Sequence, residues 1–341
     1  MSKALVTGAS GFVGANVARV LAERGRAVRV LVRATSDRRN LQGLDAEIVE
    51  GDLRDAEAVT RAVRGCDEVY HVAAEYTFWS NDPASIHRSN VDGTTHVMDA
   101  CLRAGVGRVV YTSTVGTIGL APVGGDEMGA RDERTPLAEG QLSGHYKRSK
   151  FDAEKVVLDY AARGLPVVVV NPSAPVGPWD RKPTPTGQIL VDFMLGKMPA
   201  FVDTGLNIVH VRDVAEGHVL AAEKGRVGER YILGNENMSL ARILETLARL
   251  TGKRAPTVRI PYGVAYAAGW LSTTLSDLVT HRTPAIPLES VKMAKRYMFF
   301  SSAKAISELG LPQTPVERAF ADALDWFSHH HYFIAGGSAA P

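Results

Sequence analysis

The chain has 341 residues, more than one average domain, and its 45 % hydrophobic and 22 % charged residues exclude a disordered or collagen-like protein. Lys and Arg total 39 against 37 Asp and Glu, a net charge of +2, with no basic block along the chain, so no footprint for nucleic acid exists. Two cysteines, Cys66 and Cys101, exclude a disulfide scaffold and suit reduced thiols inside a cell. The apolar run before Thr7 is too short for a secretory signal. No stretch reaches the roughly 18 apolar residues of a membrane span. The nearest, Ile260–Ser276, is uncharged but broken by Pro261, Gly263, Gly269 and the hydroxyls of Ser272, Thr273 and Thr274. The expectation is a soluble, cytoplasmic protein.

In chain order, Lys3–Thr7 reads as a strand and Gly11–Arg24 as a helix with apolar residues at helical spacing. Strands follow at Ala27–Val32, Glu47–Glu50, Glu68–Val72, Arg108–Thr112 and Val167–Val170. Helices fall between them at Ala56–Val63, Ser89–Ala104 and around Tyr146–Arg163. Strands that lack polar alternation and alternate with helices predict a parallel sheet covered on both faces. The fold class is therefore α/β, a doubly wound parallel sheet of the Rossmann type with a smaller C-terminal α/β domain.

Beyond Pro172 the texture changes, with Pro175, Pro178, Pro183 and Pro185 close behind. Such density predicts a loop-rich exit from the sheet. Shorter helices follow around Val214–Glu223, Leu240–Thr251 and Ala303–Leu309. We expect residues 1–172 to form the cofactor domain, 206–223 to return to it, and 173–335 to form mainly the substrate domain. The tail 336–341 reads as mobile. His329–His331, inside an aromatic run, reads as a helix end rather than a tag or a metal site, and no metal is expected.

Thr7-Gly8-Ala9-Ser10-Gly11-Phe12-Val13-Gly14 follows the first strand and opens the first helix. Glycines at Gly8 and Gly11 let backbone approach a pyrophosphate, and the helix start at Phe12 and Val13 supplies free N–H groups. Gly14 permits close packing of helix on sheet. A tight structural turn is the alternative, but the strand–helix context favours a dinucleotide. Some twenty residues on, NAD enzymes carry an acid for the ribose 2′-OH; here Val32 is followed by Arg33, with Arg38 and Arg39 beyond. Arginine in place of that acid favours NADP(H) over NAD(H). In Gly51-Asp52-Leu53, Asp52 is placed to accept from the adenine amino group.

Tyr146 and Lys150 stand at i, i+4 on one helix face. A neighbouring ammonium stabilises a phenolate, so Lys150 is expected to lower the Tyr146 pKa towards the working pH and to hold the nicotinamide ribose. Ser113 and Thr114 supply hydroxyls after the fifth strand. Alone the tyrosine–lysine pair is an ordinary surface pattern; beside the glycine loop it becomes specific.

These residues resemble the extended branch of the short-chain dehydrogenase/reductase family, the NAD(P)-dependent epimerase/dehydratases. The resemblance rests on residues 7–14, Gly-Asp-Leu at 51–53, His-Val-Ala-Ala at 71–74 and Asn-Val-Asp-Gly-Thr at 90–94. Tyr-Thr-Ser-Thr at 111–114, the Tyr146–Lys150 pair and Asn-Pro-Ser at 171–173 complete it. It implies that Val72, Ala73 and Ala74 flank the cofactor, that Pro172 and Ser173 lie by the nicotinamide, and that Thr114 is the catalytic hydroxyl.

Within that branch the chain is similar to dihydroflavonol-4-reductase-like reductases and to hopanoid-associated sugar epimerases. Sugar-nucleotide epimerases usually read Arg-Pro-x-Asn where this chain has Asn171–Ala174, and Arg-Asp-Phe where it has Leu206–Ile208. Losing that amide and that cation disfavours a nucleotide-diphosphate substrate. Glu75–Trp79 is expected beside the nicotinamide, its aromatics either suiting an apolar or ring-bearing substrate or simply packing the domain interface. His145 reads as a substrate contact or a helix-cap neighbour.

The expected function is NADP(H)-dependent reduction of a small-molecule ketone or aldehyde. The alternatives are an epimerase or dehydratase that holds its NAD(P), and a non-catalytic NADP sensor. Tyr262–Val279, uncharged but for Asp277 and with Tyr266, Trp270 and Leu271, reads as buried core or a homodimer contact ahead of a membrane-surface helix.

Overall fold

Valine-rich segments with no polar alternation can be buried on both faces only in the middle layer of a sandwich, and the chain uses them so. The computed structural model describes residues 2–75, 83–120, 129–138, 141–142, 144–276, 278, 284 and 287–333. Its first elements are β1 (Lys3–Thr7), α1 (Phe12–Glu23), β2 (Ala27–Val32), β3 (Glu47–Glu50), α2 (Ala56–Val63) and β4 (Glu68–His71). Next come α3 (Pro83–His87), α4 (Gly93–Ala104), β5 (Arg108–Thr112), α5 (His145–Ala162), β6 (Val167–Pro172), β7 (Ala174–Val176) and α6 (Pro185–Met194). The chain continues with β8 (Ala200–Val202), β9 (Gly205–His210), α7 (Val211–Lys224), β10 (Arg230–Leu233), β11 (Glu236–Ser239) and α8 (Leu240–Thr251). The last elements are β12 (Val258–Ile260), α9 (Tyr262–Leu275), α10 (Leu288–Met293) and α11 (Val316–His329).

Seven strands in the order β10-β6-β5-β4-β1-β2-β3 form one parallel sheet. Strand order reverses between β1 and β4, which opens a crevice beyond their carboxyl ends. Residues alternate between two cores. Ala4, Val6 and Val30 pack under α1 and α7, while Leu5, Val69 and Val109 pack under α2, α4 and α5.

A third core gathers Leu190, Phe193, Ile208, Leu244, Phe320 and Phe327 from α6, β9, α8 and α11. It lies against a three-stranded sheet, β11-β9-β7, with β12 and β8 paired apart. Within the expected return over 206–223 the strand and the helix part ways. β9 belongs to the small sheet, whereas α7 packs on α1 and β10 adds the seventh strand beside β6. A short strand after a helix gives no periodic signal of which sheet it will join.

The exit from β7 is pinned to the glycine loop. Asn40 Nδ2 donates to Ser10 O and Trp179 O, both at 3.1 Å, and Asn16 Nδ2 donates to Pro178 O at 3.2 Å. The Arg19 guanidinium lies 3.7 Å over the Trp179 ring. Both halves of the chain thus wall one cleft of about 990 Å³. The expected aromatic segment Tyr76–Trp79, the tail 336–341 and Val279 lie outside the described residues.

Candidate active site

Gly8 takes φ +75°, and a Cβ there would stand 2.7 Å from the Ala73 backbone, so only glycine lets β1 turn against the exit of β4. Gly11 N–H then bonds Gly8 O at 2.9 Å and α1 begins. The first helical bond runs from Ala15 N–H to Gly11 O, which leaves the amides of Phe12, Val13 and Gly14 without a helical acceptor at the cleft. A Cβ on Gly14 would lie 2.2 Å from Gly8 O, so close packing accounts for the third glycine. This cradle of amides without helical acceptors fits a pyrophosphate.

Ser10, Leu53, Val72, Ala73, Ala74, Pro172 and Ser173 line the same cleft. Thr7 also reaches it, but its hydroxyl is committed to structure: it lies 2.8 Å from His71 Nδ1 and accepts from Ala73 N–H at 3.2 Å. His71 Nε2 in turn meets Thr94 Oγ1 at 3.0 Å. Burial holds this imidazole neutral, with its pKa pushed down to about 3. Asp52 lines the cleft with its carboxylate in the fork of Arg54, which holds it below the usual carboxylate range.

Arg33 is exposed at the end of β2, lines the cleft, and its guanidinium has no hydrogen bond or ion pair among the described residues. Arg38 differs from expectation. It does not line the cleft, because its guanidinium is ion-paired with Glu50. Arg39 likewise forks onto Asp37, which is held down to about 2 by that contact.

Thr114 follows β5 and caps a short turn, its Oγ1 accepting from Gly116 N–H at 3.1 Å. That bond occupies a lone pair and leaves the hydroxyl proton free to face the cleft. Ser113 is buried, its N–H bonded to Val170 O. Gly144, at φ +78°, turns the chain into α5 and sets Tyr146 in its first turn and Lys150 one turn on.

Both line the cleft, but the electrostatics depart from expectation. Burial raises the Tyr146 phenol above its ordinary value. Lys150 Nζ instead donates to Tyr111 Oη at 3.0 Å and Thr112 O at 2.7 Å. Desolvation pushes that ammonium down to about 7, against the pull of Glu154.

Several supporting residues carry no local signature of their role. Buried Asn90 donates to Ser149 Oγ at 3.0 Å and to Glu75 O, and accepts from Glu75 N–H at 2.7 Å. It ties the exit of β4 to α5. Glu154, one turn beyond Lys150, accepts from Thr117 Oγ1 at 2.8 Å and Asn171 Nδ2 at 3.1 Å, and pairs with Arg230 at 3.3 Å. Asn171 also donates to Thr114 O at 3.0 Å, which holds the Thr114 turn against β6. Asn90 and Asn171 were marked by the motifs at 90–94 and 171–173, and Glu154 only by its four-residue interval from Lys150.

The opposite wall comes from the second domain. Ile189, Leu206, Leu240, Met293, Met298 and Phe300 face the cleft there, and Glu289 is the sole charged residue among its described lining residues. Asn207 also lines the cleft, but its amide is used internally, donating to Asn237 Oδ1 at 2.7 Å and Phe300 O at 3.2 Å. His145 lies exposed at the rim.

A sequence model of the NAD dependent epimerase/dehydratase family matches residues 4–234, from β1 through β10. A Synechocystis protein carrying the provisional name dihydroflavonol 4-reductase is 46 % identical over 332 residues, 96 % of this chain and 95 % of that one. Sterol demethylase protein B of Methylococcus capsulatus is 38 % identical over 324 residues, 95 % of this chain and 97 % of its own. A third relative, from Stigmatella aurantiaca, is 34 % identical over 328 residues, 94 % and 95 % of the two chains. It is the 4-hydroxy-2-methyl-3-oxo-4-farnesyl-3,4-dihydroquinoline-1-oxide ketoreductase.

Proposed function

The chain belongs to the NAD dependent epimerase/dehydratase family of extended short-chain dehydrogenases/reductases, and on that premise we propose that it is an NADP(H)-dependent reductase of a ketone or aldehyde on an apolar skeleton. The observation that carries this reading is the second-domain wall: its described lining sets Ile189, Leu206, Leu240, Met293, Met298 and Phe300 among a few hydroxyls and one acid, and has no cation. A nucleotide diphosphate needs cationic donors there. The amide of Asn207, the side-chain donor on that wall nearest to a substitute, is spent on Asn237 and Phe300. Relatives named for a sterol and for a farnesylated ketone agree with an apolar substrate.

A nicotinamide held in this cleft would supply hydride for the carbonyl carbon. Phe12, Val13 and Gly14 hold its pyrophosphate by their amides, and Arg33 takes the 2′-phosphate. Thr114, with its oxygen already accepting from Gly116, donates its hydroxyl hydrogen to the carbonyl oxygen. Tyr146, kept protonated by burial, gives its phenolic proton to the same oxygen as the alcohol forms. Two of the Lys150 ammonium hydrogens are held by Tyr111 and Thr112, and a third remains for the ribose. A non-catalytic sensor has no use for this donor set.

The test is NADPH oxidation by purified protein against ketones and aldehydes on alkyl, isoprenoid and aromatic skeletons. Turnover with apolar carbonyls is expected. Inactivity across the panel, together with epimerisation of nucleoside-diphosphate sugars, would overturn the reading.

A further inference from the structure

Helix α9 is apolar on the side that water sees. It carries no charged side chain, and Gly269 is its one buried residue. There it leans on α10, where a Cβ would lie 2.9 Å from Val291 Cγ2. The outward stripe holds Val264, Trp270, Leu271 and Leu275, with Leu278 just beyond, each between 52 and 74 % exposed. These positions share one side of a helix of 3.6 residues per turn. A continuous exposed row of this kind marks a contact surface.

Charge indicates what covers it. Arg259 stands just before α9, Lys253 and Arg254 occupy the turn leading to β12, and Lys295 follows α10. None of the four has an ion pair among the described residues. Lys295 Nζ lies 5.8 Å from the Tyr262 ring, at the base of the helix. Glu289, a neighbouring acid among the described residues, is neutralised by Lys292 at 2.9 Å. An apolar stripe edged with unpaired cations complements an anionic phospholipid surface. It suits a second copy poorly, because a two-fold contact would bring like charges together.

Position supplies the purpose. Beneath α9 a cavity of about 320 Å³ is lined by Tyr262, Tyr266, Met293 and Met298 together with four cations, Lys147 among them, and Lys147, Met293 and Met298 also line the main cleft. We propose that α9 docks the protein on an anionic phospholipid bilayer and passes an apolar substrate between the bilayer and the cleft. The passage rests on the carbonyl-reductase reading above; the docking does not, and the experiment reads docking alone.

Full-length protein is sedimented with vesicles of phosphatidylcholine, with and without about one-third phosphatidylglycerol, at low and high salt. Binding to the anionic vesicles at low salt is expected, falling several-fold at high salt. Trp270→Glu with Leu271→Glu should weaken it at least tenfold while the unfolding midpoint and NADPH affinity stay unchanged. Arg259→Ala with Lys295→Ala should remove most of the salt-sensitive part. Three results would overturn the inference: no binding to anionic vesicles, equal binding by the double-glutamate variant, or a vesicle-indifferent dimer that the double-glutamate variant splits.

Discussion

At residue scale, the proposed proton donor and the proposed phosphate ligand can be tested separately. Tyr146→Phe keeps the ring that fills the first turn of α5 and removes the acidic hydrogen. Turnover should fall by about 10²–10⁴-fold with NADPH affinity kept, as stopped-flow turnover and cofactor titration would read. Activity within a few-fold of wild type would exclude Tyr146 as the acid. Arg33→Ala should weaken NADPH by about tenfold and leave NADH nearly unchanged. The arginines next in sequence do not compensate, since Arg38 is held by Glu50 and Arg39 by Asp37. Exposure of Arg33 to solvent screening keeps the effect at the low end of the range for a charge-assisted bond. Equal NADH and NADPH affinities in the wild type would show that Arg33 does not choose the cofactor.

At the scale of elements, two contacts decide whether the cleft exists. Gly8→Ala places a Cβ 2.7 Å from Ala73 backbone in a left-handed residue, so β1 and β4 must separate. A stability loss of about 1–3 kcal/mol and a loss of cofactor binding should appear together in denaturant melts and titration. Glu154 joins α5 to the Thr114 turn, β6 and β10 through Thr117, Asn171 and Arg230. Glu154→Ala strands the half-buried Arg230 and should cost about 3 kcal/mol, whereas Glu154→Gln, which keeps an acceptor, should cost less. Equal midpoints for both variants and the wild type would show the pair to be inert.

At the scale of the whole molecule, buried titratable groups predict the acid response. Desolvation pushes His71 down to about 3 and His218 to about 4, against roughly 6.5 when unfolded. Between about pH 4 and 6.5 the unfolded chain therefore binds two protons that the native chain refuses, and stability falls as pH falls. Asp180 acts in the opposite sense: burial raises it to about 7, so the native chain keeps a proton that the unfolded chain releases above about pH 4. Two against one leaves about one proton, or ~1.4 kcal/mol per pH unit near pH 5. Asp180→Asn should about double that slope, and His218→Gln should bring it near zero, both measurable by denaturant midpoints across the window. An unchanged slope in both variants would refute the assignment. Asp37, held at about 2, acts below this window, and Lys150, at about 7, above it.

The sequence alone determined what depends on local pattern. Unalternating valine runs between amphipathic helices specify a doubly wound sheet, and the glycine spacing at 8, 11 and 14 needs only a strand before it and a helix after it. Tyr146 and Lys150 were legible because four residues make one helical turn. Tertiary structure decided what depends on partners distant in the chain and on burial. Glu50 removes Arg38 from the cleft, Tyr111 and Thr112 draw Lys150 aside, and desolvation raises Tyr146 where a neighbouring charge was expected to lower it. The cation-free wall is likewise assembled from four separate stretches between Thr184 and Phe300. Hydrogen bonding and desolvation are set by the atoms that surround a group in space, and a linear pattern carries no record of them.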